Sequence, residues 1–228
     1  TNVSGMSRHL AATLLAAGVM LSPAAQAKQK VCVFDLLGTQ GDVYAMMKDY
    51  ALMASKWGAD VELKPYTDER IVAEDFKAGQ CDGVAMSNLR AKEYNGFIGS
   101  LDAIGAIPSY KHLTEAIQLL SKPAAANYMV NKDYEIVSII PIGAAYIMVN
   151  DRKINSLAKA AGKKIAVLDF DKSQARMVQQ IGAQPVSVDF TTLSGKFNNG
   201  QVDIIVAPAL VYRAFELERG LGEKGGIY

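Results

Sequence analysis

Histidine is nearly absent: the 228 residues hold two, His9 and His112. Ser-His-Asp and Cys-His nucleophilic arrangements therefore have almost no material, and His/Cys spacings for a metal are missing. Cysteine is equally scarce, at Cys32 and Cys81. Charge of one sign is lacking too. The formal net charge is +1 with no basic cluster, which argues against a nucleic-acid partner. No stretch is long and apolar enough to span a bilayer, since even the most apolar one falls short of the ~20 residues required. The pattern asks for no cofactor.

Half the residues are hydrophobic. Met6 reads as the start of a leader, with Thr1 to Gly5 as an upstream remnant. Arg8 and His9 form a basic lead, Leu10 to Leu21 an apolar core, and Ala25-Gln26-Ala27 a small-residue cleavage site. Residues 1–27 thus read as an upstream remnant and a cleavable secretory signal peptide, giving a periplasmic mature chain from near Lys28. No cysteine sits at the cleavage site to carry a lipid. About 200 residues remain, enough for one large domain or two modest ones.

Those residues repeat themselves. Lys30-Val31-Cys32-Val33-Phe34-Asp35 parallels Lys164-Ile165-Ala166-Val167-Leu168-Asp169 position by position, and Thr39-Gln40 parallels Ser173-Gln174. Further on, Phe76 to Asp82 and Phe197 to Asp203 both read Phe-x-x-Gly-Gln-x-Asp before an apolar strand. Glycine-terminated helices before strands are common in any α/β protein. They explain the two glycines but not the repeated Gln-x-Asp. Two matches in the same order point to two α/β lobes in tandem, 28–140 and 141–228.

The second unit alternates from Gly162 to Pro208: strand, helix from Ser173 to Ile181, strand at Pro185, helix, strand at Val202. Right-handed crossovers then make the sheet mostly parallel. In the first unit the pattern predicts a helix over 42–57, a strand over 60–66, a helix capped by Asp68 through Lys77, and a strand over 81–86. Ile107 to Tyr110 reads as a turn and Leu113 to Leu120 as an amphipathic helix. Glu135 to Asn150 reads as one long strand crossing between units near Pro141-Ile142-Gly143. Val211 to Arg219 reads as a helix, and the glycines from Gly220 onward as a loose end. Two readings of the cysteines stand side by side. They begin neighbouring strands and are placed for a disulfide in an oxidising compartment, or they are small buried hydrophobes like Ala166 and Val202.

The order of these features resembles periplasmic solute-binding proteins, particularly the receptors of TRAP (tripartite ATP-independent periplasmic) transporters. The resemblance rests on Ile107-Pro108 before a helix, Leu157 to Ile165, Gly182-Ala183-Gln184-Pro185-Val186, and the Phe197 to Asp203 strand entry. It implies a two-lobed, type II periplasmic-binding-protein-like α/β fold, each lobe a mostly parallel sheet flanked by helices. Because such proteins complete both lobes with returning helices, the second lobe is expected to be truncated or unusually small. The implied function is capture of a small carboxylate-bearing solute between the lobes and delivery to membrane permease subunits. Two departures stand out. Ala166 occupies the place where that family carries a carboxylate-pairing Arg, and Ile204 follows Asp203 where the family has Gly and Glu.

In open α/β sheets ligands lie beyond the carboxyl ends of the strands. In the first lobe that rim holds Asp35, Thr39, Gln40, Ser87, Asn88 and Arg90; in the second it holds Asp169, Ser173, Gln174, Arg176, Pro208 and Tyr212. Thr39 and Ser173 are placed to cap helices whose amino termini would face an anion. Arg90, then Arg176, are candidate carboxylate clamps, and Tyr146 with Tyr212 a candidate wall. Each has a plainer reading: helix caps for Thr39 and Ser173, a loop-amide acceptor for Asp35 and Asp169, a solvated turn for Arg90, core for Tyr146. An ABC-type binding protein or a periplasmic sensor or scaffold could use the same fold. A carboxylate-based hydrolase lacks support.

Overall fold

The computed structural model describes residues 28–228, so the leader read at 1–27 lies outside the described residues. Strand β1 (Gln29–Phe34) runs into a short 3-10 turn and helix α1 (Asp42–Ser55). β2 (Val61–Tyr66), α2 (Glu69–Lys77), β3 (Gly83–Ala85) and the one-turn α3 (Asn88–Ala91) follow. The strands form a parallel sheet in the order β2-β1-β3. Asp68 caps α2 as expected, its side chain accepting from the amides of Arg70 and Ile71. Pro65 sits in the edge strand β2, where a missing ladder donor costs least.

Beyond this sheet come α4 (Tyr110–Leu120), capped by Ser109, then α5 (Ala126–Met129) and a small hairpin of β4 (Val130–Asn131) and β5 (Tyr134–Glu135). Tyr134 of the hairpin packs edge-on against Tyr94, ring centroids 4.9 Å apart, and against Phe76 at 5.7 Å. This ties the irregular middle of the chain to α2.

A second sheet is built from β6 (Ala145–Val149), β7 (Lys164–Leu168), β8 (Gln184–Val188), β9 (Ile204–Pro208) and β10 (Gly226–Ile227). Its helices are α6 (Leu157–Ala160), α7 (Lys172–Gln180), α8 (Leu193–Asn198) and α9 (Leu217–Leu221). The strand order is β10-β6-β9-β7-β8, with β7 parallel to β8 and β9, and β6 antiparallel to both β9 and β10. One face carries Met148, Leu168, Val188, Ile205 and Ala207, packed on Phe197 and Leu217; the other carries Val149, Ile165, Val167 and Ile204. That alternation is the pleat expected of a sheet buried on both faces.

Three expectations need correction. The apolar run from Glu135 to Asn150 is not one strand: after the β5 hairpin, residues 136–144 are irregular and only Ala145–Val149 pairs. Pro141 and Gly143, the latter at φ +103°, interrupt the ladder. Val211 to Arg219 is not one helix either. A 3-10 turn over Ala209–Val211 gives way to turns, Glu216 is left-handed at φ +50°, and α9 starts only at Leu217. Nor is the glycine-rich end loose. Gly226 and Ile227 pair with Val149 and Met148, and Tyr228 exchanges both backbone bonds with Ile147 at 2.9 Å. Gly220 is required by packing, since a Cβ there would lie 2.3 Å from the Phe197 ring.

The internal repeat has a structural cause. Asp82 accepts from the amide of Lys30 at 2.7 Å and Asp203 from the amide of Lys164 at 2.8 Å. Each Asp amide returns a 2.8 Å bond to the same Lys carbonyl. Gly79 and Gly200, at φ +73° and +68°, close the preceding helices in the left-handed conformation. The Phe-x-x-Gly-Gln-x-Asp unit thus ends a helix and locks the start of one strand to its neighbour, identically in both sheets.

Cys32 and Cys81 are joined, with Cα atoms 5.8 Å apart, which decides between the two readings of the cysteines. Cys32 lies in β1 and Cys81 just before β3, so the bond staples neighbouring strands beneath α2.

Candidate functional site

The loop after each central strand is ordered by an aspartate, but not by the matching one. In the first sheet Asp35 is buried and accepts from the amides of Leu37 at 2.9 Å and Tyr44 at 3.1 Å. A Cβ on Gly41 would strike its carboxylate at 1.8 Å, so glycine is obligatory there. Gly41, not Thr39, occupies the cap position of α1, and Thr39 and Gln40 are exposed in the preceding turn. The cap expected of Thr39 does not form. In the second sheet Asp169 is exposed and its role passes to Asp171, which accepts from the amides of Ser173 at 3.0 Å and Gln174 at 3.4 Å. Ser173 therefore lies inside α7 and donates to the cap instead of providing it. Gln174 turns inward and accepts from the Leu168 amide at 3.0 Å. Arg176 is exposed and lies a full turn into α7.

Arg90 is neither solvated nor free. It is buried, its Nε donates to Glu69 at 3.4 Å, and its guanidinium stacks on the Phe170 ring at 3.8 Å. Glu69 opens α2, and its other oxygen accepts from the Ser87 amide at 2.6 Å. Burial pushes the Glu69 carboxyl above its ordinary value, against the opposing pull of Ser87 and Arg90. Ser87 caps α3, while Asn88 is half-buried beside it.

These groups meet their counterparts from the second sheet. Phe34, at the end of β1, lies 5.7 Å from Phe190, which lies 6.4 Å from Phe170. Leu36 and Leu89 of the first lobe pack on the second lobe's core. Lys92 reaches across to Asp171 at 2.7 Å. The carboxyl-end rims of the two sheets therefore face each other, as the repeat predicts. The gap between them is lined by Asp68, Glu69, Arg70 and Arg90 from one side and Asp169, Phe170, Asp189 and Phe190 from the other. It encloses about 20 Å³, room for roughly one water. Of the predicted residues it unites Arg90 and Asp169. Glu69 and Lys92 lie outside the predicted rim, while Phe170, Asp171 and Phe190 fall within its strand ends, Asp169 to Gln174 and Asp189 to Thr192, where an Asp-Phe pair repeats.

Lys92–Asp171 closes the rims. Burial raises the Asp171 carboxyl, but the Lys92 ammonium and the Ser173 hydroxyl outweigh it and hold it below the ordinary carboxylate value. The depressed value means that the pair's stabilisation is present above the ordinary carboxylate range. It is lost only as pH falls through the lower, folded value. Lys92→Met is expected to destabilise the closed form by about 1–2 kcal/mol. Small-angle scattering should show a larger radius of gyration for the variant at pH 7; an unchanged radius and melting temperature would mean that the apolar contacts alone hold the rims together.

The rim has a second, roomier part. Pro208 ends β9 opposite Ala145, and the turn that follows brings Leu210, Tyr212 and Arg213 beside Tyr146 and Met148 of β6. Ile227 completes an open groove of about 400 Å³. Tyr146 and Tyr212 thus come together as expected, with Tyr146 only partly covered and not in the core. Among the described residues no cluster of acidic, His or Cys side chains suits a metal ion, and no helix is long and apolar enough to cross a membrane.

Two α/β lobes with facing carboxyl-end rims define a two-lobed fold like that of type II periplasmic binding proteins, and solved structures share this fold. A TRAP periplasmic solute-binding protein from Desulfovibrio salexigens with bound orotic acid superposes at TM-score 0.66, with 18% identity, over 82% of this chain and 61% of that one. One from Sulfurospirillum deleyianum with bound succinate gives 0.64, with 14% identity, over 85% and 64%. The chain itself belongs to the family described as solute-binding protein AdeT 1/2, whose model matches residues 51–227. The probable solute-binding protein AdeT1 of Acinetobacter baumannii is 53% identical over 195 residues, 86% of this chain and 64% of that protein. The probable solute-binding protein AdeT2 of the same organism is 34% identical over 125 residues, 55% of this chain and 52% of that protein. The chain thus spans just under two thirds of AdeT1 and about half of AdeT2.

Proposed function

We propose that this protein is a periplasmic receptor that captures a small organic acid at the rims of its two lobes and delivers it to a membrane permease. The observation that carries the reading is the arrangement of the rims: two sheets of separate strands present their carboxyl ends to each other across Phe34, Phe190 and Phe170. Family membership supports solute binding, and the acids bound by proteins of this fold favour an acidic solute. The same reading puts the lobe boundary at 140/141, and the irregular stretch before β6 supports it. With the rims closed on one water's volume, uptake requires the lobes to part and shut again.

No reaction is part of the proposal. His112 is exposed and bonded to Ser109, the cap of α4, at 2.8 Å, far in sequence from the rim residues. A thermal-shift screen of the mature protein against organic acids, amino acids and sugars tests the reading. Saturable stabilisation by at least one acid, confirmed by calorimetry without turnover, is expected. Stabilisation by none of the acids would overturn it.

A further inference from the structure

The interlobe gap is poorly suited to be the whole acid site. Its one buried guanidinium, Arg90, is already matched by Glu69, the exposed Arg70 is paired with Asp68 and Glu74, and Asp169 and Asp189 add negative charge. A carboxylate entering there would displace Glu69 from a buried pair or sit among like charges. The groove on the other half of the second lobe's rim has the opposite character. Its walls are Tyr146, Met148, Leu210, Tyr212 and Ile227, and its one charged group is Arg213. Arg213 is exposed and joins no ion pair among the described residues. The volume of about 400 Å³ lies within the range of small-molecule sites, as does an apolar lining with one or two polar handles. Position agrees as well: the groove opens where β9 ends, on the side of the sheet at which α/β proteins take ligands.

We infer that this groove binds an amphipathic monocarboxylate, with an aromatic or branched apolar body against Tyr146, Leu210 and Tyr212 and its carboxylate paired to Arg213. Charge complementarity selects the head group, because a carboxylate accepts the guanidinium's two parallel donors, whereas an ammonium has no acceptor and carries like charge. The two tyrosine rings select the body, since offset or edge-on stacking adds to the burial of a planar ligand. A dicarboxylate such as succinate lacks that body and carries a second charge that the apolar walls would have to desolvate. The inference rests on the receptor reading and narrows its solute.

Calorimetry with benzoate, its neutral isostere benzamide, the cation benzylamine, and succinate tests it on the wild-type chain and on Arg213→Gln. Arg213 is exposed, so the variant is expected to fold, with an unchanged melting temperature as the check. Benzoate should bind at least 10-fold tighter than benzamide or benzylamine, and Arg213→Gln should erase the benzoate–benzamide difference. Tyr212→Ala should weaken benzoate and benzamide alike. Equal benzoate affinity in wild type and Arg213→Gln would overturn the groove assignment, and so would succinate binding without benzoate binding, while leaving the receptor reading intact. Failure of every acid would sink that reading itself. A concentration-dependent dimer dispersed by Leu210→Glu would assign the groove to a second copy of the chain and overturn the inference.

Discussion

Reducing the disulfide between Cys32 and Cys81 is expected to cost about 4 kcal/mol of stability, the loop-closure entropy restored to the unfolded chain by freeing a 49-residue separation. The estimate is large because the bridged segment is nearly the whole first sheet: β2 and α2 lie between the cysteines, and β3 begins just after them. That sheet has three strands, against five in the second, and a smaller buried cluster. It has correspondingly less apolar burial with which to offset the entropy of the freed loop. Chemical denaturation of the oxidised protein and of the Cys32→Ala/Cys81→Ala variant should differ by that amount, with the first lobe unfolding earlier in the variant. Equal midpoints and slopes would show that packing beneath α2 already restricts the unfolded segment. In a reducing compartment the same loss would weaken the first rim.

The sequence carried the repeating parts of this fold well, because the forces behind them are local. Alternating apolar runs gave β1, β7 and β9 within a residue or two, and the Gln-x-Asp echo marked a real pair of strand locks. Where tertiary context decides, the pattern misled. The run from Glu135 to Asn150 is apolar enough for a long strand, yet beyond the hairpin residue Glu135 only Ala145–Val149 find a strand to pair with. The segment after Val211 has helical spacing, but Tyr212 and Phe215 are drawn onto the second lobe's core and the chain turns left-handed at Glu216. That the strand ends face each other was legible, but of the residues named there only Arg90 and Asp169 line the gap between them. Asp35 and Arg90 were legible as rim groups, but whether a carboxylate faces ligand or binds loop amides depends on Gly41 and Glu69, which pattern alone does not connect to them. Arg213 was absorbed into a predicted helix. Its place beside Tyr146 follows from the antiparallel pairing of β6 with β9, which joins residues as far apart in sequence as Ala145 and Pro208.

Replacing Glu69 should be the most damaging single change at the rim. Its carboxylate is almost fully covered, holds the Ser87 amide at 2.6 Å and neutralises Arg90, which is itself buried against Phe170. Glu69→Ala leaves a guanidinium without a counter-charge and an amide without an acceptor, at an expected cost of about 3–5 kcal/mol. Glu69→Gln keeps an acceptor for Ser87 and resembles the neutral acid that burial favours, so it should lose much less than Glu69→Ala. The pH dependence separates this pair from a surface one. Burial raises the Glu69 carboxyl, so the folded state holds its proton more tightly than the unfolded state. That contribution is complete below the unfolded value and is lost as pH rises through the folded one. The stability gap between wild type and Glu69→Gln should therefore narrow from pH 4 to pH 7. Denaturation of Arg90→Met and of the double variant Glu69→Ala/Arg90→Met completes the cycle: removing both charges should return much of what Glu69→Ala loses. If the double variant is as unstable as Glu69→Ala, the loss comes from the Ser87 amide and the shape of the rim, and the charge pair contributes little.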